Sequence, residues 1–321
     1  MTIEITTPSR LHITLIDLNA SIGRVDGGIG LTIEEPGIHI TAEAADGITV
    51  TGNLELADRM RASASAILPE GRGIRIRIEQ DPPSHVGLGT GTQAALAAGM
   101  AANRLYDLGL SVREIAIAVG RGGTSGIGVA SFESGGFILD SGHKFSEKGA
   151  FKPSAASKSP PASILFQQPF PDWEIVLAIP DARGAHDARE VDIFGKECPI
   201  PLSEVQELSH IILMETLSGV VEGDIEAFGD SINRIQGVGF KRREIALQTP
   251  EIVQIIKLMR ENTCGAGMSS FGPAVYGITD SHKAAADAVH EVRGVLDETI
   301  RGRCMVVHAR NSGADVRVSH E

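Results

Sequence analysis

Residues 83–93, PSHVGLGTGTQ, set three glycines at alternate positions directly ahead of an alanine-rich run, residues 94–105. Ala, Leu and Met favour helix, and the strictly alternating GIRIRI of residues 73–78 reads as a half-buried strand. The unit is therefore strand, glycine turn, helix. A helix entered in this way presents unpaired N–H groups and a partial positive charge, which suit phosphate oxygens. Gly87, Gly89 and Gly91 remove the Cβ atoms that would keep an anion off Leu88 and the rest of the main chain. Thr90 and Thr92 add hydroxyls able to meet phosphate or a divalent cation. The GK[ST] ending of a Walker loop and the GxGxxG spacing are both missing. A tight turn needing positive φ would use the same glycines.

A second such segment, TCGAGMSSFGP at residues 263–273, offers another backbone nest. Gly265 and Gly267 flank Ala266, and Ser269 and Ser270 supply hydroxyls. A helix cap followed by a turn is the plainer reading. Strands are expected at 3–6, 10–16, 29–33 and 38–42, with Gly27-Gly28 as a turn before the third. Helices are expected at 54–68 and from Ser111 to Val119, where Glu114 completes a capping box. A short helix and a strand (136–139) follow. Residues 144–161 read as an exposed connection, which divides the chain into domains 1–158 and 159–321. A long surface loop within one domain would look the same. The second half opens on the apolar strand WEIVLAIP, followed by a polar loop through Pro201. It continues with helices from Ser203, Asp224 and Pro250, a strand at 274–278, a helix at 281–296 and a strand at 304–308. Strands alternating with helices in both halves give an α+β class.

Composition narrows the function. Of 321 residues, 42% are hydrophobic and 22% charged, as in ordinary globular proteins. The formal charge of −12 opposes polyanions, so neither nucleic acid nor an anionic membrane is an expected partner. Glycine is abundant, 37 residues, and aromatics are only 4%, so a pocket for a flat ring would be walled by aliphatic side chains and backbone. Cys198, Cys264 and Cys304 lie far apart without a CxxC pair, which fits a reducing cytoplasm. No signal-peptide apolar region and no run long enough to span a bilayer is visible.

Three segments carry a resemblance: PSRLHITLIDLN near the start, PSHVGLGTGTQ, and TCGAGMSSFGP near the end. In this order they resemble the motifs of the GHMP small-molecule kinase superfamily, over nearly the whole chain. GRVDGGIGLTIEEP, GRGGTSGIGVASFESGGFILDSGH and FGKECPIP narrow the likeness to the β-ribofuranosylaminobenzene 5′-phosphate synthase family. The resemblance implies a two-domain GHMP-kinase-like fold. Its N-terminal domain is of βαβ type with a left-handed crossover, and its C-terminal domain is ferredoxin-like. It further implies condensation of 5-phosphoribosyl 1-pyrophosphate with 4-aminobenzoate, releasing CO2 and pyrophosphate, in tetrahydromethanopterin biosynthesis. 4-Hydroxybenzoate is the other acceptor to test. Mg2+ as cofactor and a homodimer complete the expectation. Kinases of the superfamily commonly carry an Asp seven or eight residues before a Gly-Gly pair. Here the pair is Gly135-Gly136 and those positions are Gly128 and Ile127, neither of which can accept a proton. An ATP-dependent small-molecule kinase with another base, or a non-catalytic sensor on the same scaffold, are the competing readings.

Several residues follow as candidates. Arg10 and His12 in the first motif differ by two and would share a strand face, Arg10 meeting an anion and His12 the donor. Asp17, Asn19 and Asp26 surround a turn fit for ribose hydroxyls, and Asp26 with Thr92 is the candidate metal pair; Asx residues also stabilise turns unaided. Arg121 and Ser125 are candidates for the 5′-phosphate. Arg183 and His186, in PDARGAHDARE, are candidates for the benzoate carboxylate or for gating the pocket. The phosphate set is Gly87 to Thr92 with Gly265, Ala266, Gly267 and Ser269. His143 and His210 read as structural, and Lys241-Arg242-Arg243 as a solvated helix face.

Overall fold

The computed structural model describes residues 1–182, 184 and 188–319. The first half contains strands β1 (Thr2–Thr6), β2 (Ser9–Asp17), β3 (Arg24–Ile33), β4 (His39–Ala45) and β5 (Ile48–Thr51). Helix α1 (Leu54–Ile67), strand β6 (Gly73–Gln80) and helices α2 (Thr90–Leu105), α3 (Val112–Ala118) and α4 (Ile127–Glu133) follow. Then come β7 (Phe137–Asp140), β8 (His143–Lys144), α5 (Phe145–Lys148) and β9 (Ile164–Gln168). The second half opens with β10 (Glu174–Pro180) and α6 (Ala188–Glu197). Helix α7 (Leu202–Ile211) continues through a π-turn at Ile212–Thr216 into α8 (Leu217–Glu222). Helices α9 (Ile225–Ile235), α10 (Gly239–Ala246) and α11 (Pro250–Asn262) precede β11 (Gly265–Met268) and β12 (Val275–Thr279). Helix α12 (His282–Glu298) and strands β13 (Gly302–Val307) and β14 (Asp315–Ser319) complete the chain.

Local chemistry explains the boundaries. Asn53 caps α1, its side chain accepting from the Glu55 amide at 3.0 Å, and Leu68 turns extended ahead of Pro69. The expected Ser111–Glu114 capping box opens α3. In β6, Ile74, Ile76 and Ile78 are buried while Arg75 and Arg77 face out.

One sheet has the order β14-β1-β4-β6-β5, in which β5 and β6 run parallel, joined through α1. Helices α1 and α2 cover it, with Met60, Leu96 and Ala98 packed on Ile3, Ile40 and Ile76. A second sheet runs β2-β3-β7-β9. The third, β11-β12-β10-β13, is antiparallel and backed by α11 and α12. Its chain order β-α-β-β-α-β is that of a ferredoxin-like unit. A common core joins the halves: Leu11, Ile13 and Phe137 of the first pack with Phe170, Trp173, Phe228 and Tyr276 of the second. Loops on the two sides are thereby held in fixed relation.

Three expectations change. Gly27 and Gly28 lie inside β3, with Asp26 and Gly27 at φ +70 and +68, so the strand is distorted there and does not begin after a turn. The stretch before Pro201 contains helix α6. The division at 158 also moves, because β9 pairs with β7 and β14 returns to β1, which places 164–168 and 315–319 in the sheets of the first half.

Candidate active site

The turn between β6 and α2 meets the turn between β11 and β12. Arg10, on β2, links them to the first motif: its amide donates to Leu88 O at 3.1 Å and its guanidinium to Gly87 O at 2.5 Å. Ser269 Oγ donates to Gly87 O at 2.7 Å and accepts from the His12 amide at 2.9 Å. The Ser270 amide donates to His12 O at 2.8 Å, and that of Ala274 to Val86 O at 3.0 Å. Gly87 (φ +89) is required here, since a Cβ would stand 2.3 Å from Ser269 O. His85 and Ser270 also hold positive φ, +58 and +52, strain of the kind that functional turns keep.

Between these turns lies a cavity of about 320 Å³. Gly87 to Thr92, Ser84, Ser270, Phe271 and Gly272 line it, together with Arg10, Arg59 and Arg121. Glu55 and Glu190 are its carboxylates. Gly89 (φ +79) is the N-cap residue of α2 and offers no capping side chain, so the first amides of a 16-residue helix open into the cavity. Among the described residues the buried hydroxyl of Ser84 has no partner there. In a chain of net charge −12, the cavity is locally cationic.

Burial sets the protonation of the groups behind it. Arg10 is lowered to about 10 by desolvation, opposed by Glu190. His12 is held well below the usual imidazole range by burial, and then by the charges of Arg10 and Lys241, so its ring is neutral at neutral pH. Lys241 is fully buried beside Glu244 (2.5 Å) and donates to Ser270 O at 2.8 Å. Burial lowers this lysine and raises its glutamate.

The candidates separate accordingly. Arg10, the Gly87–Thr92 set and Arg121 line the cavity. His12 follows Arg10 in unbroken register on β2, and the Arg10 charge bears on its ring, but the ring packs against Gly28, its Nε2 3.1 Å from where a Cβ there would sit, and is not among the residues lining the cavity. Gly265, Ala266 and Gly267 are strand residues, not a nest. Asn233 Oδ1 accepts from the Ala266 amide and Gln236 Oε1 from that of Met268, at 3.0 and 3.1 Å, so those donors are spent on the sheet edge. Of that motif only Ser269 to Gly272 reaches the other turn. Asp17 closes an Asx turn, accepting from the Asn19 and Ala20 amides. Ser125 donates to Asp140, away from Arg121. Arg183 and His186 lie outside the described residues.

Asp26 and Thr92 are not brought together either. Thr92 lines the cavity, whereas Asp26 is buried elsewhere and accepts from Lys148 Nζ at 2.6 Å and His143 Nδ1 at 2.7 Å. Among the described residues no three His, Cys, Asp or Glu side chains are grouped to hold a metal. The Asp26–Lys148 pair also buries part of the expected exposed connection. Asp140 beside it is pushed up to about 6 by burial, against three hydrogen bonds from Gly142, Gly126 and Ser125.

Sequence reading missed Arg59, and it took Lys241 for part of a solvated helix face, whereas its side chain is buried against Glu244 and Ser270. Arg59 had a visible sign, since it falls among Leu56, Met60 and Ser63 at helical spacing, an arginine on the inward face of α1. Lys241 had none, because its burial depends on packing against a distant turn.

The geometry has its counterpart among known proteins. Models of the GHMP kinases N terminal domain and the GHMP kinases C terminal domain match residues 53–136 and 216–298. A β-ribofuranosylphenol 5′-phosphate synthase of Archaeoglobus fulgidus is 45% identical over 98% of this chain and 100% of its own. The chain belongs to the β-ribofuranosylphenol 5′-phosphate synthase family. These are pentosyltransferase-type enzymes on the GHMP kinase scaffold, and the chain is one of them. The family member of Methanothermobacter thermautotrophicus is 46% identical over 97% of each chain. The homoserine kinase structure from Cytophaga hutchinsonii superposes with a TM-score of 0.68 at 16% identity, covering 98% of this chain and 97% of its own, a likeness of fold. Among the described residues no helix is long and apolar enough to cross a membrane.

Proposed function

We propose that the cavity binds 5-phosphoribosyl 1-pyrophosphate and that the chain joins its anomeric carbon to a para-substituted benzoate, as a step of methanopterin biosynthesis. The relatives are named for a ribofuranosylphenol product, which favours 4-hydroxybenzoate as acceptor; 4-aminobenzoate gives the aniline counterpart. The bond from C1 to the diphosphate oxygen breaks and its electron pair leaves with diphosphate. The ring carbon bearing the carboxylate forms the new bond to C1, and loss of CO2 returns the ring to aromaticity. The para oxygen or nitrogen supplies the electron density that makes this carbon nucleophilic.

The observation that carries this reading is the meeting of Arg10, Arg59 and Arg121 at the open N-terminus of α2 in one cavity. A donor with phosphate at both ends needs that cationic surface, and departing diphosphate needs fixed donors aimed at its growing charge. Arg121 is assigned the 5-phosphate, and Thr90 and Thr92 the diphosphate. Mg2+ would enter on the diphosphate, held by its oxygens and water with Thr92 as the cavity's hydroxyl contact. It would supply charge neutralisation of the leaving group. Gly128, at the place of the kinase acid, packs against Thr92: a Cβ there would lie 3.2 Å from Thr92 Cγ2. Gly128 carries no group to accept a proton there, which disfavours phosphoryl transfer to an acceptor hydroxyl.

The test is diphosphate release from the donor without ATP, with each benzoate in turn. Release dependent on an acceptor supports the reading, and no release with either acceptor contradicts it. A homodimer in the cytoplasm belongs to the same proposal, and light scattering on purified protein checks the subunit count.

A further inference from the structure

Arg59 stands where a cation is poorly placed. A Cβ on Gly91 would sit 2.3 Å from its Nη1, so the guanidinium lies against the second residue of α2, at the positive end of that helix. Glu55, one turn earlier on α1 and the natural partner for an arginine four residues on, is turned instead to His85, Oε1 to Nε2 2.5 Å. Among the described residues Arg59 makes no hydrogen bond and no ion pair. Arg10 crowds the same end, its guanidinium carbon 3.2 Å from where a Cβ on Gly89 would be. Two arginines against one helix N-terminus repel each other and the helix unless an anion of high charge lies between them.

We infer that Arg59 is the residue that grips the diphosphate of the donor and follows its charge as it leaves. The more highly charged end of the donor belongs at the first turn of α2, where Arg59, Arg10, the Thr90 and Gly91 amides and the Ser84 hydroxyl converge. The monophosphate end lies toward Arg121. Charge on the diphosphate grows as the bond to C1 breaks, so the Arg59 contact strengthens in the transition state and acts on kcat as well as on KM. An arginine, with a planar fork of donors, suits this role better than a lysine. The assignment rests on the donor proposed above only for the identity of the leaving group.

The test uses full-length protein and inorganic diphosphate, with ribose 5-phosphate as the probe for the other end. Titration calorimetry on Arg59→Met is expected to show diphosphate affinity reduced about 100-fold, with ribose 5-phosphate affinity within about two-fold of the parent. Arg59→Lys is expected to fall between. In turnover with the donor, Arg59→Met lowers kcat and raises the donor KM together. In the unmodified protein, diphosphate should protect Arg59 from an arginine-selective dicarbonyl reagent, a reading that depends on no variant. Equal diphosphate affinity in parent and Arg59→Met, an equal loss of both probes, or labelling of Arg59 undiminished by diphosphate would each overturn the inference. If the parent fails to turn over the donor yet binds diphosphate through Arg59, the diphosphate site stands, while the proposed reaction and the leaving-group role of Arg59 fall.

Discussion

The two glycine segments have nearly the same composition and do opposite work. At Gly87 to Gly91 the missing side chains open main-chain donors toward a cavity. At Gly265 and Gly267 they let backbone and side chains close in, and the donors are consumed: a Cβ on Gly265 would lie 2.5 Å from Gly229 Cα, and one on Gly267 2.6 Å from Gln236 Nε2. Glycine richness therefore signals close approach, and the neighbouring elements decide whether the visitor is a ligand or the protein itself. Positive φ separates the two. Gly87 and Gly89 have it, whereas Gly265 and Gly267 are extended strand.

Substitutions can break or sharpen this contrast. The largest effect is expected at Gly265→Val, which drives a branched side chain into the backbone of α9. Stability should drop by about 3 kcal/mol or more by denaturant titration, and whatever folds should keep the parent donor KM. A stable Gly265→Val protein with impaired donor binding would return the second segment to the phosphate site. Next is Gly89→Val. There, strain at positive φ costs about 1–2 kcal/mol of stability, while displacement of Arg10 and a blocked approach lower kcat/KM for the donor at least ~100-fold. Unchanged donor kinetics would remove the first segment from the site.

Gln236→Ala strips the Met268 amide of its buried acceptor and should cost about 1–3 kcal/mol without moving donor KM. The smallest effect concerns Asp140, which touches neither segment. Between the ordinary carboxyl value and about 6, the native state keeps a proton that the unfolded chain has lost. Its contribution to stability therefore falls as pH rises through that window, by roughly 1 kcal/mol per pH unit. Asp140→Asn should flatten that slope in urea titrations at pH 4 to 6. A donor affinity that follows the same titration would tie this buried cluster to the cavity.

Much of the fold was legible because it is written locally. The Ile alternation of β6, the Asn53 and Ser111 caps and the alanine run of α2 each specify their element from neighbours in sequence. Gly89 was legible as a helix entry for the same reason. What escaped depends on distant partners. β11 reads as a loop in GAG because its order comes from β12 on one side and from Asn233 and Gln236 on the other. Lys241 looks solvated in KRR until Ser270, 29 residues later, is folded over it. His143 lacks a partner in sequence and finds Asp26, 117 residues earlier, in the structure. Arg10 could be placed from its motif, yet that the ring of His12, two residues on, packs against Gly28 depends on β3, a strand whose pairing the motif does not show.

Every role assigned above requires the cavity between the two turns to be a pentosyl-transfer site. The most direct measurement is turnover of carboxyl-labelled 4-hydroxybenzoate with 5-phosphoribosyl 1-pyrophosphate and Mg2+, with ATP absent and then present. A pentosyl-transfer site releases labelled CO2 and diphosphate in equal amounts, independently of ATP. Retention of the label, with phosphate transferred from ATP to a small alcohol instead, would contradict it.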